Sequence, residues 1–154
     1  MLNVQGKYIW RATVFLMISI GVKYCSDSVK SHRGAMRMTD EFALNSAFNI
    51  RMYLEENSRC PKSLPGWDNV KIDHHDEEYI NYGNEHGFFR LKFSCGKNHK
   101  YTVAVLYSFD SESYFTGEGS SPVKIAYGHF SERKYIEVSK KADIDSALKH
   151  IYGF

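Results

Sequence analysis

The chain has few cysteines and almost no net charge, and each shortage excludes a class of protein. It contains 3 cysteines in 154 residues, and none are spaced as Cys-x-x-Cys, so a zinc ribbon or a thioredoxin-type redox site has no support. Its 20 lysines and arginines nearly balance 18 aspartates and glutamates, which leaves a net charge of +2. Because so small a charge gives no field that steers nucleic acid, we expect no nucleic-acid partner.

The sequence also lacks an apolar run long enough to cross a membrane unaided. Residues 12–22 carry no charge, but a spanning helix needs about 20 apolar residues, whereas a signal peptide needs only about 7 to 15. If Arg11 and Lys23 extend toward lipid headgroups, residues 8–25 reach the lower limit for a span. The pattern favours an uncleaved anchor, and a removed signal peptide or a buried helix of a soluble protein stays open.

These patterns divide the chain into an N-terminal anchor or signal segment, residues 1–26, and a single domain, residues 27–154. We expect a single-pass protein of the inner membrane whose body is periplasmic or extracellular. The orientation stays open, because basic residues favour the cytoplasmic side and several follow the apolar run. These are Lys23, Lys30, Arg33 and Arg37.

The domain combines a helical pattern with a strand pattern. Residues 27–58 contain no proline and are rich in helix formers, which predicts a long helix. Aromatic and β-branched runs predict a small antiparallel sheet within residues 67–139, and a short helix is expected over residues 143–152. The predicted fold class is therefore α+β, a long N-terminal helix with a membrane-anchored first half packed on the sheet. The expected strands are 79–82, 88–94, 101–109, 123–130 and 135–138, with a loop at 117–122.

The long helix has a charged stripe that predicts a solvent-facing side. At about 100° per residue, its members fall within an arc of roughly 60°. Most of the remaining circumference is apolar, so we expect the helix to pack on the sheet and either on other subunits or within its own domain. The stripe consists of Arg37, Asp40, Arg51 and Glu55.

One disulfide is expected. Cys25 lies beside the apolar run, whereas Cys60 and Cys95 lie in the polar body. In an oxidising compartment the pair Cys60–Cys95 is therefore predicted.

Residues capable of chemistry are present without a recognisable catalytic motif. The cluster Asp73–Glu78, with His86 and His99, could bind zinc or nickel, but consecutive residues rarely converge on one ion, so a solvated acidic loop is favoured. A nucleophile pairing Cys95 with His99 is less favoured than a disulfide or a buried thiol. We expect no metal, no cofactor and no enzymatic activity.

Four aromatic residues of the strand region allow two interpretations. They could form an exposed binding surface, or they could be core residues and cross-strand pairs, which is the usual role in such a sheet. They are Tyr107, Tyr114, Phe115 and Tyr127.

The end of the long helix carries a phrase with a family resemblance. The stretch YLEENSRCP, residues 53–61, resembles the helix-ending phrase of type IV pilins and type II secretion pseudopilins. Tyr53, Asn57 and Pro61 match at the family's spacing, as does Arg59, while Ser58 stands where the family usually has glycine. Cys60 replaces the usual tyrosine, and no prepilin leader or glutamate at the fifth position of the apolar segment is recognisable.

The resemblance implies a pilin-like roll and a non-catalytic subunit of an assembly. Such a subunit would be anchored in the membrane through residues 8–25 and would contact protein partners, including copies of itself, through the N-terminal helix. The alternative is an anchored or secreted binding protein of the inhibitor or immunity type, for which a small aromatic-rich body is equally suitable.

Overall fold

The computed structural model describes residues 3–61, 72–75, 78–81, 89–95, 100–107, 111–129 and 131–154. A long helix, α1, spans Asn3–Asn57, and a short helix, α2, spans Ile144–Tyr152 after a 3₁₀ turn at Lys141–Asp143. Between them lies an antiparallel sheet. The α+β prediction is confirmed, whereas the membrane-anchored first half and the pilin-like roll stay predictions.

The sheet is a meander in which every strand pairs with its neighbours along the chain. Its order is β1-β2-β3-β4-β5-β6-β7, and each described pair is antiparallel. The strands are β1 (Ile72–His75), β2 (Glu78–Asn81), β3 (Phe89–Cys95), β4 (Lys100–Tyr107), β5 (Ser111–Glu118), β6 (Val123–His129) and β7 (Lys134–Val138).

Two strands were missing from the sequence-based prediction. β5 has the sequence SESYFTGE, which is poor in strand-forming residues, and the predicted loop at 117–122 begins inside it. β1 has the sequence IDHH and lies in the predicted acidic loop. Because both strands pair along their length with neighbours of the sheet, tertiary pairing has overridden their weak local preference.

The chain divides into two compact units, residues 1–36 and residues 37–154, called here the N-terminal unit and the C-terminal unit. The helix continues through Asp27 and Gly34 without a break. The predicted boundary between residues 26 and 27 concerned an anchor or signal segment, and that role stays a prediction.

The N-terminal unit is helical and exposed. Its apolar side chains are largely open to solvent, with Phe15 exposed by 72% and Met17 by 69%. Among the described residues, no helix combines the length and the hydropathy needed to cross a membrane.

The core of the C-terminal unit lies between one face of the sheet and the helices. Alternate residues of β4, such as Val103 and Val105, are fully buried. The buried residues of α1 recur at three and four positions, which places them on one side of the helix. They include Asp40, Ala43, Leu44, Ala47, Ile50 and Leu54, and Thr39, Ser46 and Phe48 are buried beside them.

Candidate functional site

α1 ends in a left-handed turn within the stretch that carries the family resemblance. The backbone N–H of Ser58 donates to the carbonyl oxygen of Leu54 at 2.9 Å, and Nδ2 of Asn57 donates to the carbonyl oxygen of Tyr53 at 3.1 Å. Ser58 has a φ of 53°, and among the described residues every other positive φ belongs to a glycine. Glycine adopts this conformation without steric cost. The position where pilins usually carry glycine therefore has a backbone that suits glycine.

A disulfide ties this helix end to the sheet. Cys60 and Cys95 are bonded, with their Cα atoms 5.9 Å apart, so the predicted pair is confirmed. Cys95 is buried and lies opposite Tyr101 of β4, and Pro61 is buried as well. We call this region the helix-end junction, which consists of Tyr53, Asn57, Ser58, Cys60, Pro61 and Cys95.

A second attachment of α1 within the C-terminal unit is a buried carboxylate. Asp40 has no exposed surface and accepts hydrogen bonds from three hydroxyl groups. Tyr107 of β4 donates to Oδ1, while Ser113 of β5 and Tyr152 of α2 donate to Oδ2 at 3.0 and 2.7 Å. One side chain thus joins α1, two strands and α2. We call these four residues the Asp40 node.

In the Asp40 node the pKa values of Asp40, Tyr107 and Tyr152 are all raised above their ordinary values. Burial raises the pKa of Asp40, and the three hydroxyl donors oppose that rise by stabilising the carboxylate. Burial and the neighbouring Asp40 charge raise the pKa of Tyr107 and of Tyr152. The tyrosines therefore stay protonated as donors near neutral pH, which is what a carboxylate acceptor requires.

The predicted solvent stripe was wrong for much of its length. Asp40 is buried, and Arg37 and Arg51 are only half-exposed. Arg37 donates to a carboxylate oxygen of Asp145 and to the carbonyl oxygen of Phe154. These charged side chains face hydrogen-bonding partners in the C-terminal unit, so angular position alone could not identify the solvent side.

The exposed side of α1 in the C-terminal unit mixes apolar, amide and acidic side chains, including the exposed Glu41 and Glu56. Met38 is exposed by 73% and Met52 by 50%, with Asn45 and Asn49 half-exposed between them.

Arg51 and Tyr101 each carry a buried polar atom near the helix-end junction. Arg51 donates to the carbonyl oxygen of Ser121 at 3.2 Å, and its guanidinium lies 4.8 Å from the ring centroid of Phe48. Its Nε and the hydroxyl of Tyr101 have no hydrogen-bond partner within the described part of the chain. Burial raises the pKa of Tyr101 to about 12, an effect that Arg51 opposes.

The opposite side of the sheet, called here the outer face, has one buried acidic side chain. Glu112 of β5 is 2% exposed and accepts hydrogen bonds from Arg133 and from the hydroxyl of Tyr114. The Arg133 guanidinium lies 4.7 Å from the centroid of the Tyr114 ring. Because these groups satisfy one another, the arrangement holds the Arg133 guanidinium over β5.

The described residues do not assemble either of the two chemical sites that the sequence analysis considered and did not favour. Asp73, His74 and His75 lie in β1 and Glu78 in β2, with His75 paired to Glu78, so these four residues of the predicted acidic loop belong to paired strands. His86 and His99 lie outside the described residues, and the described ones contain no cluster of three metal-ligating side chains. The thiols of Cys60 and Cys95 are both in the disulfide.

Of the four aromatic residues that allowed two interpretations, two are core residues and two are not. Tyr107 and Phe115 are buried in the core. Tyr114 and Tyr127 are half-buried, and Tyr114 belongs to the Glu112 contact. Among the strand residues whose burial is described, Tyr135 is a large exposed aromatic residue, which the sequence did not single out.

The sequence also failed to identify Asp40 and Glu112. For Asp40 a signal was available, because it precedes Ala43, Leu44 and Ala47 at the spacing of one helix face. For Glu112 we find none, since its partner Arg133 lies two strands further along the chain.

Comparison with known proteins identifies no relative of this chain. No protein-family model, curated protein or solved structure matches the chain. The resemblance to pilins stays a prediction based on residues 53–61 and on the helix that precedes them.

Proposed function

We propose that this protein is a non-catalytic, membrane-anchored subunit of a pilin-like assembly, related in organisation to minor pilins and pseudopilins. Residues 8–25 act as the anchor, and the exposed surfaces of α1 contact other subunits. The body of the chain acts by binding. This proposal extends the resemblance at residues 53–61. The proposed function requires no cofactor.

The observation that carries the proposal is the exposure of apolar side chains along an uninterrupted helix. From Val14 to Val29, α1 presents large apolar residues on all sides. Helices with this composition are covered by lipid or by other protein in their working state. The exposed residues are Val14, Phe15, Leu16, Met17, Ile18, Ile20, Val22, Tyr24 and Val29.

Flanking charges support contact with lipid. Arg11 and Lys23 border the uncharged run, and their long side chains can reach headgroups from within an apolar segment. Lys30 and Arg33 continue the basic character, opposed only by Asp27. Anionic headgroups attract such residues.

The attachment of the second part of α1 supports a role in assembly. The helix-end junction and the Asp40 node fix residues 37–57 to the sheet. A helix held in this way can transmit contacts made by its exposed side to the whole C-terminal unit.

Membrane attachment can be tested with a pair of variants on the same helix. Ile18→Arg should release the full chain from membranes during alkaline carbonate extraction, because it places a charge in the middle of the uncharged run. Met38→Arg replaces another exposed apolar residue of the same helix and should leave attachment unchanged. Release of both variants, or of neither, would contradict anchoring by residues 8–25.

Assembly can be tested with the exposed thiol of Cys25. A bismaleimide should cross-link neighbouring copies in intact membranes, and Cys25→Ser should abolish the product. Cross-linking exclusively to other proteins would argue against self-assembly through α1.

The inhibitor or immunity-type alternative is favoured by the self-contained C-terminal unit, which carries its own core and disulfide. Under that function, deletion of residues 1–26 would remove membrane attachment and leave partner binding intact. Under the assembly function the same deletion would remove both, and a pull-down against detergent-solubilised membranes distinguishes the two outcomes.

A further inference from the structure

Three basic side chains follow the uncharged run of α1 on one side of the helix. At about 100° per residue, Lys23, Lys30 and Arg33 fall within an arc of roughly 80°. All three are exposed. We call these three residues the basic stripe.

The basic stripe has no counter-charge among the described residues. None of its three side chains forms an ion pair or a hydrogen bond within the part of the chain that the structure describes. Asp27 is the acidic residue between Lys23 and Lys30, and it forms no ion pair with either of them. A partner that carries negative charge therefore fits this side of the helix.

The next basic residue on the same side shows the opposite situation. Arg37 lies within the angular range of the stripe, but its guanidinium donates to a carboxylate oxygen of Asp145 and to the carbonyl oxygen of Phe154. The C-terminal unit thus supplies a counter-charge to Arg37. The described residues supply none to the stripe.

The uncharged run before the stripe covers only part of a bilayer. Residues 12–22 are eleven residues, which at about 1.5 Å per residue gives about 17 Å, whereas the hydrocarbon core is about 30 Å thick. Attachment of a helix to a membrane depends on buried apolar area together with electrostatic attraction to anionic lipids. The basic stripe can supply the electrostatic contribution that so short a run requires.

An apolar row borders the stripe along the helix. Val22 and Val29 are exposed by 65% and 54%, and they lie about 20° and 40° beyond Arg33 around the helix axis. Neighbouring apolar and basic rows are typical of a helix segment in the membrane interface, where the apolar row reaches the acyl chains and the basic row the headgroups.

We propose that the basic stripe binds an anionic phospholipid surface, with the headgroup phosphates as its counter-charges. This proposal rests on the proposed function, because residues 8–25 must first bring α1 to a membrane. Lys23 and Arg33 lie about 15 Å apart along the helix axis, whereas one headgroup layer is only about 5 to 8 Å thick. α1 therefore leaves the membrane at a tilt, with the basic stripe turned toward the headgroups.

An acidic protein surface would offer the same charge, and the surroundings of the stripe favour lipid. The stripe begins directly after the uncharged run, and Val22 and Val29 border it. Acyl chains cover such residues without loss of hydrogen bonds. An acidic protein surface would have to desolvate its charged groups against them.

The test measures lipid preference in vesicles that contain the full chain and no other protein. A fluorophore is attached to Cys25, an exposed free thiol that lies at least about 80° from each member of the stripe. The vesicles are phosphatidylcholine with a trace of acceptor lipid, either phosphatidylglycerol or phosphatidylcholine, which carry the same acyl-chain dye. Energy transfer to each acceptor gives the relative association constant of the two lipids.

The full chain should prefer phosphatidylglycerol. One lysine or arginine near an anionic surface corresponds to about a fivefold change in affinity, so we expect at least about a fivefold higher association constant. This preference should fall toward one as the salt concentration rises from about 0.1 M to about 1 M, where screening shortens the range of the attraction to about 3 Å.

A pair of double variants tests the stripe itself. Lys30→Gln with Arg33→Gln removes two of its three charges and should bring the preference close to one, whereas Lys30→Arg with Arg33→Lys keeps the charges and should retain it. Lys140→Gln with Lys149→Gln is the matched control, because it changes the net charge equally at exposed lysines of the C-terminal unit. The control should keep the preference of the unaltered chain.

Alkaline carbonate extraction of the same vesicles separates the two proposals. Release of the unaltered chain would overturn anchoring by residues 8–25, and the present proposal with it. A chain that is retained but transfers energy equally to both acceptors would overturn only the present proposal, and this is the result expected if the stripe serves an acidic protein surface. Equal losses of preference in the glutamine variant and in the control would also overturn it, because net charge alone would then explain the effect.

Discussion

The two parts of α1 have the same backbone structure and different surroundings. In the N-terminal unit, residues such as Phe15, Ile18 and Ile20 are exposed, whereas in the C-terminal unit Leu44, Ala47 and Ile50 have no exposed surface. Helices in proteins gain most of their stability from packing of a buried face. The second part packs that face on the sheet, whereas the apolar side chains of the first part are the ones that the proposed anchoring would cover.

The largest expected effect on this comparison is loss of the disulfide. The double change Cys60→Ala and Cys95→Ala opens a loop with a sequence separation of 35, which should lower the free energy of unfolding by about 4 kcal/mol. Hydrogen exchange should accelerate in residues 37–57 and stay unchanged in residues 13–36. Cys25→Ala, at an exposed free thiol, is the control and should change stability by less than about 0.5 kcal/mol.

Removal of the Asp40 carboxylate should be the next largest effect. Asp40→Ala leaves the hydroxyls of Tyr107, Ser113 and Tyr152 without their acceptor, at an expected cost of about 3 kcal/mol in urea unfolding. Asp27→Ala changes an exposed aspartate of the same helix and should cost less than about 0.5 kcal/mol. Equal effects at the two positions would show that the two parts of α1 do not differ as described.

The same carboxylate should give the C-terminal unit a characteristic pH dependence. Because the pKa of Asp40 is raised in the folded state, the folded protein binds this proton more tightly than the unfolded chain does. Stability relative to Asp40→Asn should therefore increase as the pH falls from neutral toward about 4, the unfolded pKa, and decrease as the pH rises through the folded pKa. Parallel stability curves for the two proteins would contradict the assignment.

Two glycine substitutions sharpen the contrast between close packing and open space. A Cβ at Gly117 would lie 2.2 Å from the hydroxyl oxygen of Tyr101, which is buried, whereas a Cβ at Gly34 would meet nothing within 4 Å. Gly117→Ala should cost about 1 to 3 kcal/mol by overpacking. Gly34→Ala should raise helix stability by up to about 1 kcal/mol, measured by hydrogen exchange in residues 13–36.

The smallest effect concerns the turn that ends α1. Ser58→Gly relieves the left-handed backbone of a non-glycine residue and should stabilise the C-terminal unit by about 1 kcal/mol. Ser58→Ala keeps the same steric constraint and serves as the control. If glycine and alanine gave the same melting temperature, the left-handed conformation at Ser58 would be refuted.

The sequence predicted the elements with strong local signals. The absence of proline in residues 27–58 predicted a long helix, and Gly153 marked the end of the terminal helix. The separation of Cys25 from the other two cysteines predicted the disulfide. β5 was missed because SESYFTGE has little strand preference of its own, and its pairing with β4 and β6 decides its structure.

The Asp40 node was missed for a different reason. Its three hydroxyl donors lie 67, 73 and 112 residues away in sequence. The spacing of Asp40 from Ala43, Leu44 and Ala47 indicates a buried position, but nothing near Asp40 in the chain identifies the groups that would satisfy a buried carboxylate. Buried polar contacts between distant elements are therefore the part of this fold that a single sequence conceals.

The disulfide also determines how the molecule responds to mechanical force. When the chain is pulled from its ends, tension entering through α1 reaches β3 through a covalent bond, and the residues between Cys60 and Cys95 are shielded from extension. With a sequence separation of 35, about 120 Å of contour length stays hidden until the bond is reduced. Single-molecule pulling with and without reductant should show this difference as a longer final extension of the reduced chain.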